Sequence, residues 1–286
     1  MKFAVSYSTA HLGADPDRIA DYARYAEEYG FEGLYLPEHL VLHPGAQLHG
    51  FEVPPTLPFL DPLETLAYVA AATDRLLLGT GVLLLPYRNP VVLAKQLVTI
   101  DVLSKGRMRL LTVGVGALPA EAAAAGVDFR TRGRRADEAI DILRLLWSGD
   151  ENGVSFHGEF FTFDNLVQFP KPYRATTLPI HIGGSSRPAA RRAGSRGDGY
   201  FAGGALLPDE RMAQWELARA TATEAGRDPG RLEYTRWSGF DMTDERLAAF
   251  AEQGVDRVVM SASSADPAEQ RDELAGFAER FLTPGR

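Results

Sequence analysis

No cysteine occurs in the 286 residues. That removes thiolate nucleophiles, iron–sulfur clusters and thiolate zinc sites together. Lysine is scarce as well: Lys2, Lys95, Lys105 and Lys171 are the only lysines among 30 basic residues. Positive charge is not in excess, since 38 acidic residues leave a formal net charge of −8. The electrostatic footprint of a nucleic-acid binder is therefore missing, and no nucleic-acid partner is expected. Long hydrophobic runs are missing too. The longest, such as Leu83-Leu84-Leu85-Pro86, are far too short to cross a bilayer. Residues 1–5 lack the apolar stretch and small-residue cleavage site of a signal peptide. A cytoplasmic protein with no membrane partner is expected.

What is present is ordinary globular composition, with 45% hydrophobic and 24% charged residues. Short apolar runs alternate with helical periodicity. Phe3-Ala4-Val5-Ser6-Tyr7 leads into a helix opened by Asp15-Pro16, an N-cap followed by proline at the first turn. Gly33-Leu34-Tyr35-Leu36 is a second strand, and Asp61-Pro62 opens the next helix in the same way. Further strands are expected at 76–82, 108–115, 179–182, 200–202, 233–240 and 255–260, each followed by a helical pattern. Eight such units predict a closed (β/α)8 TIM barrel as one domain over residues 1–286. Residues 148–178 form the one long gap, and the alternation at 154–163 predicts a hairpin insertion between strands four and five.

Chemistry in such barrels sits where the strands end. A Schiff-base aldolase needs lysine there, and Lys2 lies at the opposite end of the first strand. His39 and His43 lack the order of a helical zinc site, so no metal is expected. The strand ends instead carry glycine: Gly79-Thr80-Gly81, Gly114-Val115-Gly116 and Gly183-Gly184-Ser185-Ser186. Either these are tight turns, or they let the backbone approach a flat, phosphorylated ligand, with the helix start after Gly184 taking the phosphate. Glu38-His39 ends strand two over the barrel mouth, although a loop histidine can equally be bonded to backbone. His181, between two isoleucines, fits a core histidine; His49 is a loop residue; the arginines at 132–135 and 187–196 fit solvated helix faces.

Pro37-Glu38-His39, Leu78-Gly79-Thr80-Gly81-Val82, Tyr87-Arg88-Asn89-Pro90, Val113-Gly114-Val115-Gly116 and Pro179-Ile180-His181-Ile182-Gly183-Gly184 together resemble the bacterial luciferase-like monooxygenase family. The match runs in order over residues 1–205. The resemblance implies a barrel that binds a flavin, or the deazaflavin coenzyme F420, at its mouth. Gly81-Val82 matches the strand-three bulge, often a non-prolyl cis peptide, that backs the ring. His39 matches the histidine beside the ring's reactive face, with Glu38 as the group that would orient it, and the two form the expected catalytic set. Gly114 and Gly116 match backbone beside the ring, Gly183, Gly184 and Ser185 match the phosphate turn, and Ser6 and Thr80 complete the expected cofactor contacts. Some deazaflavin dehydrogenases carry a Glu just after the strand-four glycines; here that position is Ala117, and Glu121 is a weak stand-in.

The expected function is that of an F420-dependent oxidoreductase acting on a small, apolar or aromatic substrate, with loops 40–58 and 148–178 walling the substrate side. The arginine-rich, lysine-poor composition favours F420 over FMN. An FMN-dependent monooxygenase using O2 is the alternative, and a non-catalytic binder of the cofactor is the second. A homodimer is expected because relatives pair.

Overall fold

The computed structural model describes residues 1–48, 50–204 and 206–282, so His49 lies outside the described residues. Eight parallel strands close on themselves: β1 Lys2–Ser6, β2 Gly33–Leu36, β3 Leu77–Leu84, β4 Met108–Gly114, β5 Ile180–Gly184, β6 Gly199–Ala202, β7 Glu233–Gly239 and β8 Arg257–Ser261. Neighbours in sequence are neighbours in the barrel, and the pairing of Lys2 with Arg257 through Ser6 with Ser261 seals it. The main helices alternate with them: α1 Pro16–Glu28, α2 Pro62–Ala72, α3 Pro90–Leu103, α4 Arg132–Ser148, α5 Arg187–Arg196, α6 Pro208–Glu224, α7 Asp244–Glu252 and α8 Pro267–Phe281. Among the described residues no helix is long and apolar enough to cross a membrane.

Local chemistry sets these boundaries. Asp15, Asp61, Asn89 and Asp266 each accept an N–H from the first turn of the helix they precede, and a proline follows each one. The proline costs no hydrogen bond there, because that N–H has no partner inside the helix.

Alternation along the strands splits the interior in two. Leu34, Leu78, Leu111, Ile180, Tyr200 and Val258 face the helices and join the large core between sheet and helix ring. Ala4, Tyr35, Leu110, Phe201 and Val259 meet in the barrel centre, with Leu77 and Trp237 packed on them. Beneath that plug, at the start of the strands, the nearly inaccessible Arg257 guanidinium reaches Glu32 at 2.6 Å and Glu233 at 2.7 Å. Lys2 joins the same carboxylates, which puts it at the barrel base. Above the plug, at the mouth, the inward positions become small: Ser6, Gly81, Gly114, Gly183 and Ser261.

The insertion between β4 and β5 contains an antiparallel ribbon, Val154–His157 with Thr162–Leu166. It does not wall the mouth along its length. Helices run away from the mouth, and the segment packs down the outside of α3 and α4. Gln168 donates to Val91 O at 3.1 Å, Lys171 to Leu146 O at 2.8 Å, and Tyr173 N–H to Asp101 at 2.7 Å. Only the ribbon tip reaches the rim, where the Glu138 carboxylate accepts the N–H groups of Glu159 and Phe160.

Candidate active site

His39 lies just beyond β2, and its Nδ1 sits 3.2 Å from both oxygens of Glu121. Glu121 belongs to a short helix, Pro119–Ala124, in the loop after β4. Its carboxylate is wholly buried while the imidazole stays 16% exposed. The Leu40 N–H also donates to Glu121 at 2.7 Å, so the carboxylate grips both backbone and ring of the β2 loop. A carboxylate only accepts, so in this pair Nδ1 carries the proton and Nε2 is left as the free ring nitrogen. Phe59 meets the ring edge-on at 5.0 Å. The nearest carboxylate along the chain to the empty Ala117 position is thus the one that holds His39.

Glu38 has a different task from the one expected. It is buried, accepts the Leu84 N–H at 2.5 Å, and pairs with Arg88, which also reaches Asp61 at 2.5 Å. Burial pushes the Glu38 carboxyl up, against the opposing pull of Arg88. This network ties β2, the end of β3 and the cap of α2 together. Glu38 does not orient His39, because consecutive residues of an extended chain project to opposite sides.

Thr80 is likewise spent within the barrel. Its hydroxyl donates to Thr112 O at 2.7 Å and accepts Thr112 N–H at 3.1 Å, with no surface exposed, so its side chain is not a cofactor contact. Ser6 does reach the mouth, with its hydroxyl 3.4 Å from that of Ser261.

The glycines divide by what fills the space beside them. β3 bulges between Gly81 and Leu83, and the Gly81–Val82 peptide is cis. A Cβ on Gly81 would meet Tyr35 and Trp237 of the central plug at 3.4–3.5 Å, which places Gly81 on the floor of the mouth. A Cβ on Gly114 or Gly183 would collide with Val82, and one on Gly116 with the Tyr87 hydroxyl. Both strand-four glycines thus stand against protein side chains, Val82 at Gly114 and Tyr87 at Gly116. Tyr87 is a residue that sequence reasoning passed over, and no spacing pattern links it to Gly116. Burial, with the Glu121 charge added, pushes its phenol up to about 12, and among the described residues its hydroxyl has no hydrogen-bond partner.

The turn after β5 has the donors an anion needs. Gly184 has φ +139, a value that L side chains rarely adopt. Its carbonyl accepts from Tyr200, and Gln214 donates to Ser185 O at 2.7 Å, so the turn is pinned from β6 and α6. Ser186 caps α5 by accepting Ala189 N–H. Among the described residues, the N–H groups of Ser185, Ser186 and Arg187 have no acceptor, and they stand at the positive end of the helix. Ser185 and Arg187 are exposed beside them. Arg192 is buried and binds Asp137, while the partly exposed Arg196 binds Asp141, and the two pairs link α5 to α4.

His181 is a core histidine at the base of the barrel. Burial holds its imidazole down to about 4, opposed by Glu233 at 3.5 Å, and among the described residues its Nδ1 has no partner.

Residues 1–280 match the model of the luciferase-like monooxygenase family. A 4-hydroxyprotoasukamycin monooxygenase from Streptomyces nodosus subsp. asukaensis is 30% identical over 270 residues, covering 91% of this chain and 68% of that protein. An F420-dependent hydroxymycolic acid dehydrogenase from Mycobacterium tuberculosis is 34% identical over 219 residues, covering 76% of this chain and 56% of that one. The chain thus spans little more than half the length of the second relative. Among solved structures, an F420-dependent secondary alcohol dehydrogenase in complex with an F420–acetone adduct shares the fold, with a TM-score of 0.78 over 99% of both chains at 20% identity.

Proposed function

The chain belongs to the luciferase-like monooxygenase family, and on that premise we propose that it is a coenzyme F420-dependent oxidoreductase acting on a small, apolar or aromatic substrate. The observation that carries the proposal is the His39–Glu121 pair, 3.2 Å apart at the rim of a mouth floored by small residues. An oxidoreductase of this kind needs a flat floor, an anion cradle and one proton-handling group, and all three stand at the same end of the barrel.

The residues present fit such a cofactor. The unpaired N–H groups of Ser185, Ser186 and Arg187 would hold its phosphate. Ser6, Gly81, Val82 and Ser261 would floor the ring. When bound, the deazaflavin supplies the carbon that gives or takes the hydride. The chain's own part is positional and protic. Glu121 fixes the imidazole in one tautomer and orientation. Nε2 of His39 then holds or delivers a proton at the substrate. Phe59 and the half-exposed Leu40, Val41 and Leu60 keep that side apolar and favour an apolar substrate.

The F420-dependent relative and the arginine-rich composition support a deazaflavin. The 30% identical monooxygenase supports the second reading, an FMN enzyme using O2. Titrating the purified protein with F420 and with FMN separates them: tight F420 binding is expected, and FMN binding without F420 binding overturns the choice. The homodimer that the resemblance implies is part of the same proposal, and sedimentation equilibrium tests it, with a monomer as the contrary result.

A further inference from the structure

The deepest arginines of this chain have their charge or their donors answered. Arg257 holds Glu32 and Glu233, and Arg192 holds Asp137. Arg107 has no carboxylate but spends Nε, Nη1 and Nη2 on Ser104 O, Thr73 Oγ1, Leu76 O and Ala70 O. Behind β6 and β7 stand two arginines, Arg211 and Arg236, that lack a carboxylate and keep donors unspent.

Alternation along β7 sends Tyr234 and Arg236 towards the helix ring, while Trp237 packs on the barrel plug. The Arg236 guanidinium lies 4.8 Å from the Phe250 ring centroid and 6.0 Å from that of Tyr234, and Nη1 donates to Gln253 Oε1 at 2.7 Å. Arg211, on α6, donates to Ala202 O at 3.1 Å and to Leu206 O at 2.8 Å. The register brings the two together. Phe201 pairs with Thr235, so Ala202, where Arg211 ends, stands level with Arg236 on a strand about 4.8 Å away. Trp215, one turn after Arg211 on α6, stacks on Tyr234 at 4.5 Å. Among the described residues neither arginine has a carboxylate within ion-pair distance, and the Nε of each and the Tyr234 hydroxyl are buried without a partner. Burial pushes the Arg236 guanidinium down, and the Arg211 charge pushes the same way. Both groups still keep their proton at neutral pH. A largely buried cation without a countercharge is costly, and here two of them also repel. Nη2 of Arg236 is neither bonded nor closed off, and both side chains are partly exposed, so an ion can arrive from solvent.

We propose that Arg236 and Arg211 form a binding site for one small monovalent anion, between α6 and α7 on the outer side of the barrel wall. The anion accepts from Arg236 Nη2, with the Arg211 charge as the second attraction. It supplies the countercharge that Asp and Glu supply to Arg257 and Arg192. The site is separate from the mouth and stands whichever cofactor the mouth takes.

The test follows Tm of the full chain while sodium gluconate, whose anion is far bulkier, is exchanged for sodium chloride at constant ionic strength. An ion that binds only the folded state raises Tm by mass action, and a rise of about 2 °C or more is expected for the wild type. Two variants locate the ion. Arg236→Gln removes the charge that holds it. Gln253→Glu places a carboxylate where Arg236 Nη1 already donates, so the chain then carries its own countercharge. Each is expected to cut the chloride response to less than about half of the wild-type rise. The readout is the response to chloride and not Tm itself, so a general loss of stability in a variant does not imitate the result. If Arg236→Gln does not fold, Gln253→Glu decides alone. A wild type that ignores chloride overturns the site, and so does a full wild-type response in Gln253→Glu or in folded Arg236→Gln. Cofactor binding plays no part in the measurement, so failure of the F420 reading leaves it untouched.

Discussion

The His39 imidazole and the Glu121 carboxylate, 82 positions apart in sequence, meet at 3.2 Å with the carboxylate closed off from solvent. The contact joins the loop after β2 to the loop after β4, across the end of β3 that carries the bulge. It gives the mouth one oriented ring nitrogen and one buried charge to hold it.

Glu121→Gln keeps an oxygen for the Leu40 N–H and the His39 ring but removes the charge. The expected result is a kcat lower by roughly tenfold to a hundredfold, with cofactor Kd changed by less than about threefold. His39→Asn is expected to cost more, and the double variant no more than His39→Asn alone, since both act through one group. Steady-state kinetics and a binding titration check this. Additive losses in the double would show that Glu121 acts independently of His39.

Glu38 is a structural carboxylate, so its partner matters for stability. Arg88→Ala leaves a buried, uncompensated charge, expected to cost about 3 kcal/mol or more. Pairing that change with Glu38→Gln should recover a large part of the loss. Urea midpoints of the three variants measure it. A catalytic role for Glu38 predicts the opposite pattern, with little change in midpoint and a large one in turnover.

The barrel base makes stability depend on pH. In the unfolded chain His181 takes a proton near 6.5, whereas in the fold burial holds it down to about 4, against the opposing pull of Glu233. Between those values the unfolded state binds more protons, so stability falls as pH drops from about 6.5 to about 4. Burial alone would raise Glu233, yet the Arg257 hydrogen bond and charge outweigh it and hold the carboxyl at about 2. Its contribution is whole above about 4.5 and is lost as pH falls towards about 2. His181 accounts for a loss on the order of 3 kcal/mol across its window. Denaturant midpoints at a series of pH values should show this slope, and His181→Asn should flatten it between about 6.5 and 4.

The architecture was largely legible because it is written in local chemistry. The Asp-Pro cap pairs at residues 15–16 and 61–62 and the apolar run 33–36 lie where the helices and strand begin and end. β3 ran past its expected end at residue 82 to Leu84, since a bulge adds a residue without any change in apolar pattern. His39 was legible as a strand-end histidine, but its partner was not. Adjacency pointed to Glu38, while chain alternation turns Glu38 away and a separate loop delivers Glu121. Glycine lacks a side chain, and sequence cannot say what enters the space. At Gly114 and Gly183 it is Val82, and at Gly116 it is Tyr87. Thr80 shows the same limit, because a threonine at a strand end can face the ligand or close a ladder, and here it closes one.

The most direct test of the central claim is a single-turnover experiment without oxygen. Protein loaded with F420 is mixed anaerobically with candidate apolar alcohols, ketones and enones, and the oxidation state of the deazaflavin is followed by absorbance beside product formation. The account predicts that one substrate reacts for each cofactor oxidised or reduced, with no oxygen required and with the rate reduced by about a hundredfold or more in His39→Asn. Turnover that appears only with reduced FMN and O2 would contradict it.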